Sequence, residues 1–170
     1  QWFLDHVYQP HFDRFKEDFG KTVRGFFFDE PETVGTWGRE VMEVINERGL
    51  DWKTLLTAKA LQLDGEAQTA AAYQYRECFA EAWARVMYKG MSDWCKAHGV
   101  ISTGHFMEHH NDCFRDQLCA GDVLHLMKYV DIPAVDLVCH QLYPGDKNKP
   151  FMYQMPKLAS SISHIYGKKD

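Results

Sequence analysis

The chain has 170 residues, of which 45% are hydrophobic and 14% aromatic, enough for one buried core. A net charge of −5 with no long Lys/Arg cluster argues against a nucleic-acid groove, and no apolar run reaches the roughly 18–20 residues of a membrane span. Five cysteines (Cys78, Cys95, Cys113, Cys119, Cys139) are odd in number and form no C-x-x-C pair, which argues against a disulfide framework and a cysteine zinc site and points to buried free thiols.

In chain order, residues 1–19 place Phe3, Val7, Tyr8, Phe12, Phe15 and Phe19 at helical spacing, interrupted by Pro10 and stopped by Gly20. "KTVRGFFFDE" reads as a short buried strand. "WGREVMEVINERG" and "DWKTLLTAKALQLDG" predict two short helices, ending at Gly49 and near Gly65. A long helix is expected over about 67–98, with Tyr75, Phe79, Trp83, Val86, Met87, Trp94 and Cys95 along one stripe and Lys96, His98 and Gly99 at its end. "VISTGHFMEH" predicts a second strand, "GDVLHLMKYV" a short helix, and "PAVDLVCHQLYPG" a third strand running into a Pro-Gly turn. "QMPKLASSISHIYG" predicts a last helix, begun by Pro156 and ended by Gly167.

Helix, glycine, strand recurs at Gly20 and Gly99, and the first two parts return at Gly167. Short apolar strands alternating with helices indicate a parallel sheet with helices outside. No G-x-G-x-x-G opens a helix after a strand, and there is no P-loop. The expected fold class is therefore α/β, a partial (β/α)8 TIM barrel of about three to four β/α units with a long helical insertion. Both ends, at Gln1 without Met and at "HIYGKKD", are expected to be cuts through a larger protein, so that residues 1–170 would be a fragment of a single barrel domain.

Each expected strand carries polar residues at its C-terminal end, the catalytic face of β/α barrels: Asp29, Glu30 and Glu32; then His105, Glu108, His109 and His110; then His140, Gln141 and Tyr143. Pro31 is expected to keep Glu30 extended. Alternation would then put Glu30 on the face of Phe28 and Asp29 on the face of Phe27, with one of the two carboxylates in the barrel mouth and the other bracing a loop. Glu30 and Glu108 form a candidate acid/base pair, because glycoside hydrolysis needs one protonated carboxyl to release the leaving oxygen and one ionised carboxylate to activate water or attack the sugar.

"HFMEH" also fits the inverted zinc motif His-x-x-Glu-His, with His105 and His109 as ligands and Glu108 activating water. That motif needs a helix. "GVISTG" before His105 is strand-like, and in a strand His105 and His109 lie about 13 Å apart. Oxygen ligands from Glu108, Asp112 or Asp29 could instead hold Ca²⁺. Trp37 is a candidate sugar platform or a packing residue, and Gln141 and Tyr143 could hydrogen-bond a hydroxylated substrate. His125 and His164 are expected to be surface or satisfied core histidines.

"FFFDEPE", "EAWARVMYKGMSDWCKAHGVISTGHFMEH", "DIPAVDLVCHQ" and "LASSISHIYGKK", in that order, resemble the catalytic barrel of the α-L-rhamnosidase-type glycoside hydrolases, family 106, over roughly residues 10–169. The resemblance implies a (β/α)8 domain, inverting hydrolysis of α-linked rhamnose in plant-type polysaccharides, a bound Ca²⁺ in many members, and a secreted or periplasmic setting. It implies Glu30 as general acid, Glu108 as base or metal ligand, and His105 in contact with substrate; the strand-end pattern adds Asp29 as a further candidate catalytic carboxylate and His140 as a candidate substrate-binding residue. Many relatives carry paired glutamates where this chain has Glu108-His109, and a further glutamate shortly after "YGKK", so the base is either Glu108 or a residue beyond Asp170. Two other readings stand beside this one: a metal-dependent hydrolase built on His105, Glu108 and His109, and a non-catalytic carbohydrate-binding relative.

Overall fold

The structure, a computed structural model, describes residues 1–31, 37–62, 64–105, 122–136 and 154–168. A π-helical turn, Leu4–Tyr8, leads into α1 (Gln9–Phe15). Tyr8 and Gln9 are themselves right-handed helical, so Pro10 lies inside one continuous helical run, where its missing N–H leaves one backbone donor out of the ladder. Strand β1 (Gly25–Asp29) follows, then α2 (Arg39–Glu47), α3 (Trp52–Leu61) and α4 (Glu66–Trp83). A π-helical stretch, Ala84–Lys89, joins α4 to α5 (Gly90–Ala97), and β2 (Ile101–His105) comes next. The remaining elements are α6 (Val123–Met127), β3 (Ile132–Pro133) and α7 (Gln154–Ile165).

The fold is α/β. Its strands form one parallel sheet in the order β1-β2-β3, with Gly25 opposite Ile101, Asp29 opposite His105, and Thr103 opposite Ile132. The third strand differs from expectation: its ladder covers only Ile132–Pro133, and residues 137–145 of the expected strand lie outside the described residues.

Alternation along β1 divides the three phenylalanines. Phe26 stacks on Tyr8 at 4.1 Å between ring centroids and meets Trp94 edge-on at 5.4 Å, while Phe28 meets Tyr88 at 5.3 Å. These rings join the main core with Met91, Cys95, Leu126 and Ile162. Phe27 points to the other face and is 58% exposed, so the strand is buried on one side only.

A second core lies within the helices, where Val44, Ile45, Leu55, Tyr75 and Cys78 pack together. The long helix serves both cores. Ala71, Tyr75, Cys78 and Ala82 line the second core at intervals of three and four, and Ala84, Tyr88, Met91 and Cys95 line the first at the same intervals. Between Ala82 and Ala84 the stripe advances by only two residues. A two-residue step is a rotation of about 200° around the helix, so the two cores lie on nearly opposite sides of it. A single α-helical stripe would have buried Val86, which is instead 50% exposed.

α2, α5 and α7 end where the glycines predict, whereas α3 ends at Leu61 on the left-handed Gln62, before Gly65. At Gly99 (φ 71°), the N–H of Val100 donates to Cys95 O at 3.0 Å and that of Gly99 to Lys96 O at 3.2 Å, a Schellman cap that aims the chain into β2. Asp131 then ties β3 to β2: its Oδ2 accepts from the Ser102 N–H at 2.8 Å and from the Ser102 hydroxyl at 2.9 Å.

Glu81 on α4 is buried among cations. It accepts from Arg85 Nε at 2.6 Å and pairs with the His125 ring on α6, while Lys128 lies 3.8 Å away. Burial alone would raise its carboxyl, but the bonds from Arg85 and His125 outweigh that and hold it below the ordinary 4.5. A lowered carboxyl adds stability that is fully present above its unfolded-state value and disappears as pH falls through the folded one. Urea midpoints should therefore fall below about pH 4.5. Glu81→Gln should flatten that fall and remove about 2 kcal/mol at neutral pH.

Cys78 and Cys95 are buried free thiols. Burial, with the charge of Asp131 adding to it, pushes the Cys95 thiol up to about 12. At pH 8 its thiolate fraction is then about 10⁻⁴. Iodoacetamide should label Cys95 far more slowly in the native chain than in urea, read residue by residue by mass spectrometry; equal rates would contradict the burial.

Candidate functional site

The site stands at the C-terminal ends of the three strands. Gly104 makes the close approach of β1 and β2 workable there. Its φ is 149°, and a Cβ on it would lie 2.3 Å from the carbonyl oxygen of Phe28 and 2.5 Å from that ring's Cγ. No other residue fits without moving β1. His105, next along, closes β2 and is only 7% exposed.

Asp29 is the register partner of His105, and its Oδ1 lies 3.0 Å from the ring Nε2. As alternation predicts, Asp29 shares the face of Phe27, whose ring centroid is 5.6 Å from that of His105. The Asp29 side chain is otherwise 79% exposed, so it can orient the imidazole from the solvent side.

Glu30 departs from expectation. Pro31 should keep it extended, yet Glu30 has φ 42°, in the left-handed region that non-glycine residues rarely occupy. The strand ends at Asp29, although the Glu30 N–H still donates to His105 O at 3.2 Å. The turn breaks the alternation that would have assigned Glu30 to the face of Phe28. Such backbone strain persists only where its surroundings enforce it, and it is concentrated at functional sites.

The result is a three-residue cluster. One ligating atom each from Glu30, His105 and Asp136 lies within 4.8 Å of the other two. Among the described residues this is the one such group of three or more His, Cys, Asp or Glu side chains. Asp136 was not among the candidates read from the sequence, because the expected third strand runs through it to His140. Its signal is the pair Asp131 and Asp136, which bracket the apolar run Ile132–Val135 and so mark the length of a short strand.

The other candidates fall elsewhere. Glu108, His109, His110, Asp112, His140, Gln141 and Tyr143 lie outside the described residues, as does Glu32. His105 is the last residue of β2, while its partner in the zinc motif, His109, lies outside the described residues. Trp37 packs in the helical part, parallel to Tyr75 at 6.1 Å and 6.2 Å from Trp52, with 42% of its surface exposed. A groove of about 300 Å³ between α3 and α4, with Lys53, Thr57 and Gln68 on its walls, shares no residue with the strand-end cluster. Among the histidines on helices, His125 is satisfied by Glu81.

The chain matches no protein-family model, no curated protein and no solved structure. Two carboxylates and an imidazole at the mouth of a parallel sheet can transfer a proton, hold a hydroxylated substrate, or bind a cation. Calcium fits this donor set poorly, since it takes six to eight oxygen ligands and the cluster offers two carboxylates and a nitrogen. No helix among the described residues is long and apolar enough to cross a membrane.

Proposed function

We propose that the chain supplies three β/α units of a (β/α)8 glycoside hydrolase barrel, and that its strand ends form part of an α-L-rhamnosidase-like active site. One observation carries this reading: β1, β2 and the segment just after β3 bring a carboxylate, an imidazole and a second carboxylate together at the end of the sheet where barrel enzymes hold their reacting groups.

In this reading Glu30 protonates the leaving oxygen as the glycosidic bond breaks. His105, oriented by Asp29, hydrogen-bonds the sugar, and Asp136 accepts from a sugar hydroxyl. The spacing bears on the second catalytic carboxylate. Inverting enzymes keep their two carboxyl groups about 6.5–9.5 Å apart to leave room for water, and Glu30 and Asp136 are closer than that. For an inverting reaction the base is thus Glu108 or a glutamate beyond Asp170, and Asp136 is a substrate ligand. The substrate is a plant-type oligo- or polysaccharide, met in a secreted or periplasmic setting.

The test uses the protein extended through the remaining strands, on an aryl α-L-rhamnoside, with the first-formed sugar followed by proton NMR. Inversion at the anomeric carbon is expected. Retention would make Asp136 the nucleophile and overturn the role given to it here.

A further inference from the structure

We infer that Glu30, His105 and Asp136 form a site for a divalent ion of the zinc or cobalt type, and that its occupation switches off the glycoside hydrolysis proposed above. The site itself stands on the geometry; only the consequence of filling it rests on the functional reading.

Glu30 follows β1, His105 ends β2, and Asp136 follows β3. The left-handed turn sets Glu30, the β1–β2 ladder and Gly104 set His105, and the Asp131–Ser102 bonds anchor the segment that leads to Asp136. Zinc bonds to imidazole nitrogen and carboxylate oxygen are about 2.0–2.2 Å long, so donors around one tetrahedral ion sit about 3.4 Å apart. From within 4.8 Å of one another, the donors reach that spacing by side-chain rotations of about an ångström. Two carboxylates match the charge of the ion. The buried imidazole selects a transition ion over Ca²⁺ or Mg²⁺, which prefer oxygen throughout. A water fills the fourth position.

A carboxylate bonded to a cation has no proton to give. With the ion in place, Glu30 cannot serve as the acid, and the ion blocks the approach of the glycosidic oxygen. Metal would therefore inhibit this enzyme, whereas a metal-dependent hydrolase would require it.

The test begins with direct binding. The 170-residue chain is titrated with Co²⁺, and heat and visible absorption are recorded. One equivalent is expected to bind, with affinity at least about tenfold weaker in Asp136→Asn, His105→Gln and Glu30→Gln alike, and with an excess of Ca²⁺ failing to compete. Thermal melts of each variant establish that it is folded, and three separate substitutions guard against the collapse of any one. No uptake of Co²⁺, unchanged affinity in the folded variants, or displacement by Ca²⁺ overturns the site. In the extended protein, Zn²⁺ should suppress rhamnoside release and a chelator should restore it. Binding without inhibition overturns the switch. Binding by a protein that cleaves no rhamnoside leaves the site standing and removes the functional reading instead.

Discussion

Glu30→Gln is expected to lower rhamnoside hydrolysis by about 10²–10⁴, the usual worth of general acid assistance. The amide keeps the size and the hydrogen-bonding reach of the carboxyl but cannot deliver a proton. The loss should therefore depend on the substrate. A rhamnoside of a strongly acidic phenol expels its phenolate with little protonation and should be cleaved almost as fast by the variant, while a poor alcohol leaving group should show the full loss. Equal losses on every leaving group would remove Glu30 from the acid role. Asp29→Asn should differ in kind: it weakens the orientation of His105, 3.0 Å away, and its effect should not follow leaving-group acidity.

Gly104→Ala is expected to have the largest effect on the fold. A methyl at this position would meet the Phe28 carbonyl at 2.3 Å, and φ of 149° is itself strained for alanine. Backbone strain and overpacking together should remove about 3 kcal/mol or more. Gly99→Ala is the natural comparison. Its φ of 71° is also left-handed, but nothing lies within 4 Å of the added Cβ, so only the conformational penalty of about 1 kcal/mol remains. Urea unfolding of the two variants should separate them clearly. Similar midpoints would mean that β1 and β2 do not approach as closely as the Gly104 geometry requires. Because Gly104 adjoins His105, its alanine variant should also lose the Co²⁺ site, whereas the Gly99 variant should keep it.

The alternation of helices, glycines and strands is legible in the sequence because each signal there is local. Gly20, Gly99 and Gly167 take left-handed φ because glycine alone does so cheaply, and the Phe26/Phe28 face is set by the two-residue period of a strand. Asp29 and His105 are legible for the same reason, as polar residues at the ends of apolar runs. What is not legible depends on contacts distant in sequence. The rule that a residue before proline stays extended is a local tendency; at Glu30 it yields to a turn whose N–H bonds across to His105. Asp136 escapes notice because its strand pairs over only two residues, so the polar tip comes earlier than the length of the apolar run suggests. Val86 falls off the expected stripe because the buried side of the long helix changes between Ala82 and Ala84, where it passes from one core to the other, and a single 3.6-residue period does not show that change. Trp37, next to the carboxylates in sequence, is carried instead to the aromatic contacts of α3 and α4.

The central claim is that these strand ends perform carboxylate chemistry on a glycoside without a catalytic metal. The most direct measurement is the release of phenol from an aryl α-L-rhamnoside by the extended protein, before and after exhaustive chelation of zinc and other transition ions. The account predicts release that survives chelation, or rises with it as Glu30, His105 and Asp136 are cleared of adventitious ion. Release that disappears on chelation and returns with zinc would contradict it and make the His105 motif the centre of a metal-dependent hydrolase.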